Sequence, residues 1–408
     1  MRVTQIDTIR LGEFPNLLFA EVRTDDGPVG LGETFFGAQA VEAYIHESAA
    51  PYLLGRDPLQ TEKHALALDG YVGYAGTGAE RRGASAIDIA LWDILGQVSG
   101  LPLYQLLGGE TRDGVPIYNT CAGYRYVRDR PTQSVDNWGV SGDAEGPYED
   151  LDAFLHRADE LAESLRDQCV TAMKIWPFDP YAEASGGTYI SKEDLNRALE
   201  PLRKIRRAVG GEIEIMVELH GLWDVATATQ IMSALEEFEP YWIEDPVRPD
   251  DLRALAQAVR STTARVAVGE TLGGLRAFRE LLEHEAADVV IVDPGWAGGI
   301  TTARKVAAVA DSYGVPVAFH DCTGPVVLAV DAHLAASNAN VPLQETVRAY
   351  YTSWYGELVT ALPPIADGTI RPPDGPGLGI ALRPGLHERA DAQIRTSTLA
   401  GAPAAAAG

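Results

Sequence analysis

The chain has 408 residues, 46% of them hydrophobic, and sets 33 basic against 58 acidic side chains for a net charge of −25. That length suits a barrel of about 250 residues plus one smaller domain, and the negative field repels phosphate backbones and anionic lipid, which argues against nucleic acid or a membrane as partner. Cys121, Cys169 and Cys322 match no metal-ligand spacing and no disulfide framework; with no signal peptide and no membrane-spanning apolar run, a cytoplasmic protein is expected.

In chain order, MRVTQIDTIRL and NLLFAEVRTDDGPVGLGETFF alternate in strand fashion around a TDDGPVG turn, which predicts an antiparallel meander. Helical patterns follow to about residue 108; in ASAIDIALWDILGQVSG, Ala86, Ile89, Ala90, Asp93 and Ile94 keep helical spacing until Gly100 and Pro102 end the run. Strands followed by helices make residues 1–114 an α+β unit. From 115 to 346 short strands alternate with helices. The strands are VPIYNTC, TAMKIWPF, IEIMVELH, YWIEDP, RVAVGET, ADVVIVDPG, VPVAFHD and VPLQET. Eight strands with seven helical regions between them predict an α/β fold, a TIM barrel of (β/α)7β form. Residues 347–395 read as a return over the first domain, and 396–408, ending GAPAAAAG, as a frayed tail.

Three of the barrel strands end on a glutamate at equal steps: Glu218 in MVELHG, Glu244 in YWIEDP and Glu270 in VAVGET, 26 residues apart each time. One β/α unit takes roughly that length, so the three carboxylates fall on one rim of the barrel. Carboxylates converging there repel one another unless a hard cation lies between them, and Mg2+ prefers such oxygen ligands. The other strand ends carry Lys174, Asp293, His320 and Glu345. His220 follows Glu218 by two, so on a strand both would face the barrel mouth. Any one of these residues alone is explained by a helix cap or an arginine partner; the equal register of three glutamates is not.

The residues around this ladder resemble the mandelate racemase-like branch of the enolase superfamily. The resemblance is carried by AIDIALWDILGQVSGLPLYQLLGG, the WIEDP and GET strand ends, VDPGWAGGITTARKVAAVADSYGVPVAFHD and PPDGPGLGI, and it extends over nearly the whole chain. It implies a modified barrel under an α+β capping domain built from both chain ends. It also implies one Mg2+ per subunit on Glu218, Glu244 and Glu270, a small carboxylate substrate that loses its α-proton to give a metal-held enediolate, and a homo-oligomer. His320 oriented by Asp293, 27 residues earlier, is then one base and Lys174, with a pKa lowered by the metal, the opposing group. His220 resembles the acid of sugar-acid dehydratases, and Glu345 stands where relatives hydrogen-bond the substrate carboxylate. Trp176, Trp223, Asp321 and Arg348 are expected to line the pocket, with Asn16, Phe35 and Tyr74 in covering loops. Two positions depart from the pattern: Ala172 stands in place of the first lysine of a Lys-x-Lys pair, and Glu218 in place of an aspartate.

Taken together, these residues predict a Mg2+-dependent dehydratase of an aldonate or aldarate giving a 2-keto-3-deoxy acid. Racemisation, epimerisation or lactone cycloisomerisation with the same metal and bases is the alternative. A non-catalytic binding protein would have no need of all three carboxylates and both bases.

Overall fold

The computed structural model describes residues 1–69, 78–140 and 146–399; Tyr74 lies outside them. The alternating N-terminal segments form β1 (Val3–Leu11), β2 (Phe14–Thr24) and β3 (Val29–Phe35), antiparallel throughout. The long helix Ala79–Ser99 packs across them. Its approach is so close that a Cβ on Gly32 would stand 1.8 Å from the Ala86 carbonyl oxygen, which accounts for glycine at that point of β3.

The barrel strands are β4 (Val115–Thr120), β5 (Ala172–Ile175), β6 (Glu214–Glu218), β7 (Trp242–Glu244), β8 (Arg265–Val268), β9 (Val289–Val292), β10 (Val317–Phe319) and β11 (Gln344–Thr346). They pair in parallel in sequence order from β4 to β10, and β11 closes onto β4. No ladder joins β10 to β11; Gln344 Nε2 bridges that seam by donating to the Phe319 carbonyl at 2.8 Å. Inside the barrel, Tyr118, Ala172, Met216, Trp242, Ile291 and Ala318 form a sealed apolar layer. Because side chains on a strand alternate with period two, the residues two further on emerge just above that layer. They are Thr120, Lys174, Glu218, Glu244, Asp293 and His320.

Past the barrel, β12 (Ile365–Ala366) and β13 (Thr369–Ile370) form a hairpin added antiparallel to β4. Then β14 (Ala392–Thr398) completes the free edge of β1. Residues 396–398, expected in the tail, are therefore sheet: their backbone groups satisfy an edge that would otherwise be open. Among the described residues, no helix is long and apolar enough to cross a membrane.

The capping sheet is fastened to the barrel by buried polar contacts. Glu33, on β3 and fully buried, accepts from the backbone N–H groups of Val326 and Val327 at 3.2 and 3.0 Å, in the first turn of helix Pro325–Ser337. That is where a carboxylate is best placed against helix donors. Burial nevertheless pushes its carboxyl up to about 8, the two N–H contacts offsetting only part of the cost. A carboxyl with a higher pKa folded than unfolded binds more protons in the native state, so its contribution to stability falls as pH rises from 4.5 towards about 8. Glu33→Gln removes the ionisation. The stability of wild type relative to this variant, from urea unfolding, should be greater near about pH 5 than near about pH 8. Equal differences at the two pH values would mean that Glu33 ionises normally in the folded protein.

Candidate active site

The layer above the apolar plug gathers the ionisable groups on one rim. Glu218 and Glu244 are register partners on β6 and β7. Glu270 comes in out of phase: β8 stops at Val268, and Gly269 at φ 133° turns the chain so that the next side chain, rather than that of residue 269, meets the other two. A Cβ on Gly269 would approach the Ile291 carbonyl oxygen to 2.6 Å, so that turn depends on glycine. One oxygen from each of Glu218, Glu244 and Glu270 lies within 4.8 Å of the others. Glu218 Oε2 is buried without a hydrogen-bond partner. Three carboxylates and an oxygen-only donor set fit a hard divalent cation.

Lys174 sits among the same groups, its Nζ 2.9 Å from Glu244, 3.0 Å from Glu345 and 3.4 Å from Glu218. Burial works against its charge, but Glu244 and Glu345, then Tyr118 and Glu218, outweigh that and hold the ammonium well above its ordinary range. The lowering expected from sequence is an effect of a bound metal cation, whose charge would oppose that of these carboxylates. Glu244 is pushed up to about 8, first by burial and then by Glu218. Glu345 accepts from Thr120 Oγ1 and from the Asp321 backbone N–H at 3.0 Å. Burial would raise it, yet Lys174 and His320 hold it below the ordinary range.

Two histidines face one small cavity. His320 places Nδ1 2.7 Å from Asp293 Oδ2 and Nε2 3.3 Å from Glu270. Burial would lower its pKa, but Glu270, Glu345 and Asp293 raise it to about 10. His220 places Nδ1 2.8 Å from Asp179 Oδ2 and Nε2 3.0 Å from the Gln133 side-chain amide. Burial is again outweighed, by Asp179 and Glu218, and the value rises to about 9. His220 does not reach the cavity as a strand residue: β6 ends at Glu218, and His220 takes φ 51° in the turn that follows. Its backbone N–H caps Glu218 Oε1 at 2.8 Å, which anchors the longer carboxylate.

The cavity encloses about 40 Å3 and is also lined by Phe36, Tyr126, Trp176, Trp296 and Cys322. A larger cleft of about 970 Å3, lined by Glu62, Arg81, Leu272 and Lys305 among others, has no histidine in its lining; Arg81 pairs there with Asp69 and Lys305 with Glu62. The small cavity is the one bordered by the ionisable strand-end groups.

Comparison with known proteins places the chain in a family. Residues 13–108 match the N-terminal domain of the mandelate racemase / muconate lactonizing enzyme family, and residues 156–386 the enolase C-terminal domain-like family. The chain belongs to the mandelate racemase / muconate lactonizing enzyme family. An enolase of the mandelate racemase subgroup from Agrobacterium tumefaciens is 45% identical to it, with a TM-score of 0.86 over 98% of this chain and 99% of that one. A D-galactonate dehydratase from Ralstonia nicotianae is 30% identical over 389 residues, 93% of this chain and 92% of the relative. A D-gluconate dehydratase from Thermoproteus tenax is 29% identical over 380 residues, 91% of this chain and 69% of the relative. Enzymes of the enolase superfamily generally use Mg2+.

Within this family frame, Lys174, Glu218, His220, Glu270, His320, Glu345 and Trp176 border the cavity. Glu244 and Asp293 stand directly behind it, on Lys174 and His320. Three expected pocket residues do not line it. Arg348 is buried and drawn into a two-pronged contact with Asp150, at 2.7 Å from both Nε and Nη2. Asp321 turns its carboxylate to the Tyr355 hydroxyl at 2.9 Å. Trp223 is buried beyond the rim, beside Val247. Of the covering residues, Phe35 is one position off: its neighbour Phe36, at φ 67°, swings into the cavity. Asn16 instead holds the 127–130 loop through the Val127 and Arg130 carbonyls at 2.6 and 2.8 Å. Asp179, Gln133 and Tyr126 were not singled out from sequence, although Asp179 lies in the long FDPYAEAS segment after Lys174.

Lys174 is the one cation of the protein in contact with Glu218, Glu244 and Glu345 among the described residues. Lys174→Met should cost about 3–5 kcal/mol in urea unfolding with a chelator present, and part of the loss should return on adding Mg2+. A variant as stable as wild type in chelator would show that these carboxylates take up protons instead.

Proposed function

We propose that the protein is a hydro-lyase acting on an acid sugar, an aldonate or aldarate, and releasing a 2-keto-3-deoxy acid. The observation that carries this reading is that His220 and His320 both turn Nε2 towards one cavity while an aspartate holds each Nδ1. Removing water across a C–C bond needs a base at the α-carbon and an acid at the β-oxygen, and two separately held imidazoles supply both. The dehydratase names of the relatives support the same reaction class.

His320 is the base in this reading and acts in its neutral form: a cation on Glu270 would offset the largest of the charges that hold the imidazole protonated. Asp293 fixes its Nδ1–H and stabilises the imidazolium once Nε2 has taken the α-proton. Its Nε2 lies beside Glu270, on the carboxylate side of the cavity, where the acid group of a substrate would be bound. Glu218, Glu244 and Glu270 would hold one Mg2+ per subunit, whose charge offsets the negative charge that builds on the substrate carboxylate as the proton leaves. The C–H electron pair becomes the C–C double bond, the C3–O bond breaks with its pair on oxygen, and His220 Nε2 supplies the proton that makes the leaving group water. The enol formed then tautomerises to the keto acid. Lys174, surrounded by three carboxylates, is a fixed counter-charge in this scheme rather than a second base. Glu345, held by Lys174, Thr120 and the Asp321 N–H, presents an anchored carboxyl next to the substrate.

The test is a panel of aldonates and aldarates with Mg2+, assayed for 2-keto-3-deoxy acids. On any substrate found, His320→Asn should abolish both dehydration and α-hydrogen exchange in D2O. His220→Asn should lower dehydration by about 10²-fold or more while exchange persists. Deuterium in recovered substrate with no keto product from wild type would instead establish proton transfer at one carbon, a racemase or epimerase.

A further inference from the structure

We propose that Asp179 is a positioning residue that makes His220 the acid of the reaction; this rests on the dehydratase reading above. Asp179 opens the helix Asp179–Ser185, in the stretch that follows β5, and is 1% exposed. Oδ2 lies 2.8 Å from His220 Nδ1, and the buried Oδ1 has no hydrogen-bond partner. The carboxylate therefore has a single polar task, and that task is the histidine.

His220 is held on three sides. Its backbone N–H is tied to Glu218, its ring stands edge-on to Trp176 with centroids 5.9 Å apart, and Nδ1 is tied to Asp179. The backbone pays for this orientation with a left-handed φ of 51°, unusual for a residue other than glycine. Only Nε2 is left for the cavity, where it meets Gln133 and, at 3.5 Å, the Tyr126 hydroxyl. With Nδ1–H fixed on a carboxylate, the ring's tautomer and direction are set, and Nε2 is the atom turned to whatever replaces Gln133.

The two aspartate–histidine pairs share this connectivity, so their surroundings must separate their roles. His320 Nε2 faces Glu270, one of the three converging carboxylates. His220 Nε2 faces neutral groups, an amide and a phenol. A substrate anchored by its carboxylate on the Glu270 side carries its α-hydrogen to His320 and its β-hydroxyl to His220. That hydroxyl takes the contact Gln133 now makes, since a cavity of about 40 Å3 has room for about three waters and not for an acid sugar beside that amide.

The experiment compares Asp179→Asn with wild type in the full-length enzyme with Mg2+. Three rates are measured on an acid sugar that wild type dehydrates: keto-acid formation, α-hydrogen exchange in D2O, and fluoride release from the 3-deoxy-3-fluoro analogue. Fluoride departs without a proton, so its release does not need the acid. Dehydration should fall by about 10-fold or more with KM little changed, while exchange and fluoride release fall several-fold less. A role that is only structural would lower all three by one factor, and that result overturns the proposal, as does dehydration within about twofold of wild type. If Asp179→Asn fails to fold, as judged by its thermal midpoint, the same three ratios on Asp179→Glu decide the question. Should wild type dehydrate no acid sugar, the dehydratase reading falls and this proposal with it. Dehydration by wild type with equal ratios in the variant overturns the role of Asp179 alone.

Discussion

Everything at the barrel mouth is conditioned by carboxylates held out of water. Glu218, Glu244, Asp245, Asp293, Asp321 and Glu345 are each at most 3% exposed, and Glu270 is close by. In such surroundings like charges interact far more strongly than in solvent, so the site folds only if positive charge is supplied or protons are retained. The protein does both. Lys174, His220 and His320 are all held towards their charged forms, while Glu244, Asp245 and Asp293 are pushed upward chiefly by burial. A divalent cation on Glu218, Glu244 and Glu270 would relieve the same imbalance. Metal affinity, lysine charge and histidine protonation are thus one coupled quantity, not three.

The capping sheet serves this arrangement by excluding water. Phe36 reaches the cavity from just past β3, and Trp296 packs against both Phe36 and His320, with centroid separations of 5.8 and 5.2 Å. Arg82 lies over the Trp296 ring at 4.7 Å and donates to the Phe35 carbonyl, so the aromatic wall is itself pinned by the long helix of the cap. Thr34, beside Glu33, donates to the Gly295 carbonyl at 2.8 Å, in the short helix Pro294–Ala297 that follows Asp293. The cap and the His320–Asp293 pair are therefore mechanically linked through three consecutive residues of one strand end.

The barrel and its rim were legible in the sequence because both follow from counting. A β/α repeat sets the distance between strand ends, and period two sets which residues clear the apolar layer. The count gave Lys174, Glu244, Asp293 and His320 for the physical reason that places them. Glu270 and His220 reach the same cavity by a longer route than the count assumes: each is delivered by a backbone twist, at Gly269 and at His220 itself. Loop side chains escaped the count. Arg348 is two residues past a strand end, which suggests a rim position, yet a buried aspartate 198 residues away claims it. Asp179, Gln133 and Tyr126 are separated from the rest of the site by loops without periodicity, so no spacing signals their convergence.

Glu218 is the residue at which these constraints meet. The resemblance led to an aspartate there, and a side chain longer by one methylene would ordinarily overshoot the position of its shorter counterpart. The turn after β6 takes up the difference: with His220 at φ 51° and Gly221 at φ 64°, the chain doubles back and offers the His220 N–H to Glu218 Oε1. One oxygen is thereby committed to the backbone, and the other lies among the carboxylates, 3.4 Å from Lys174 Nζ. The same reversal aims the imidazole at the cavity, where Asp179 can hold it. The longer carboxylate and the histidine two residues on are therefore a single structural choice, since the backbone bond that anchors one sets the direction of the other.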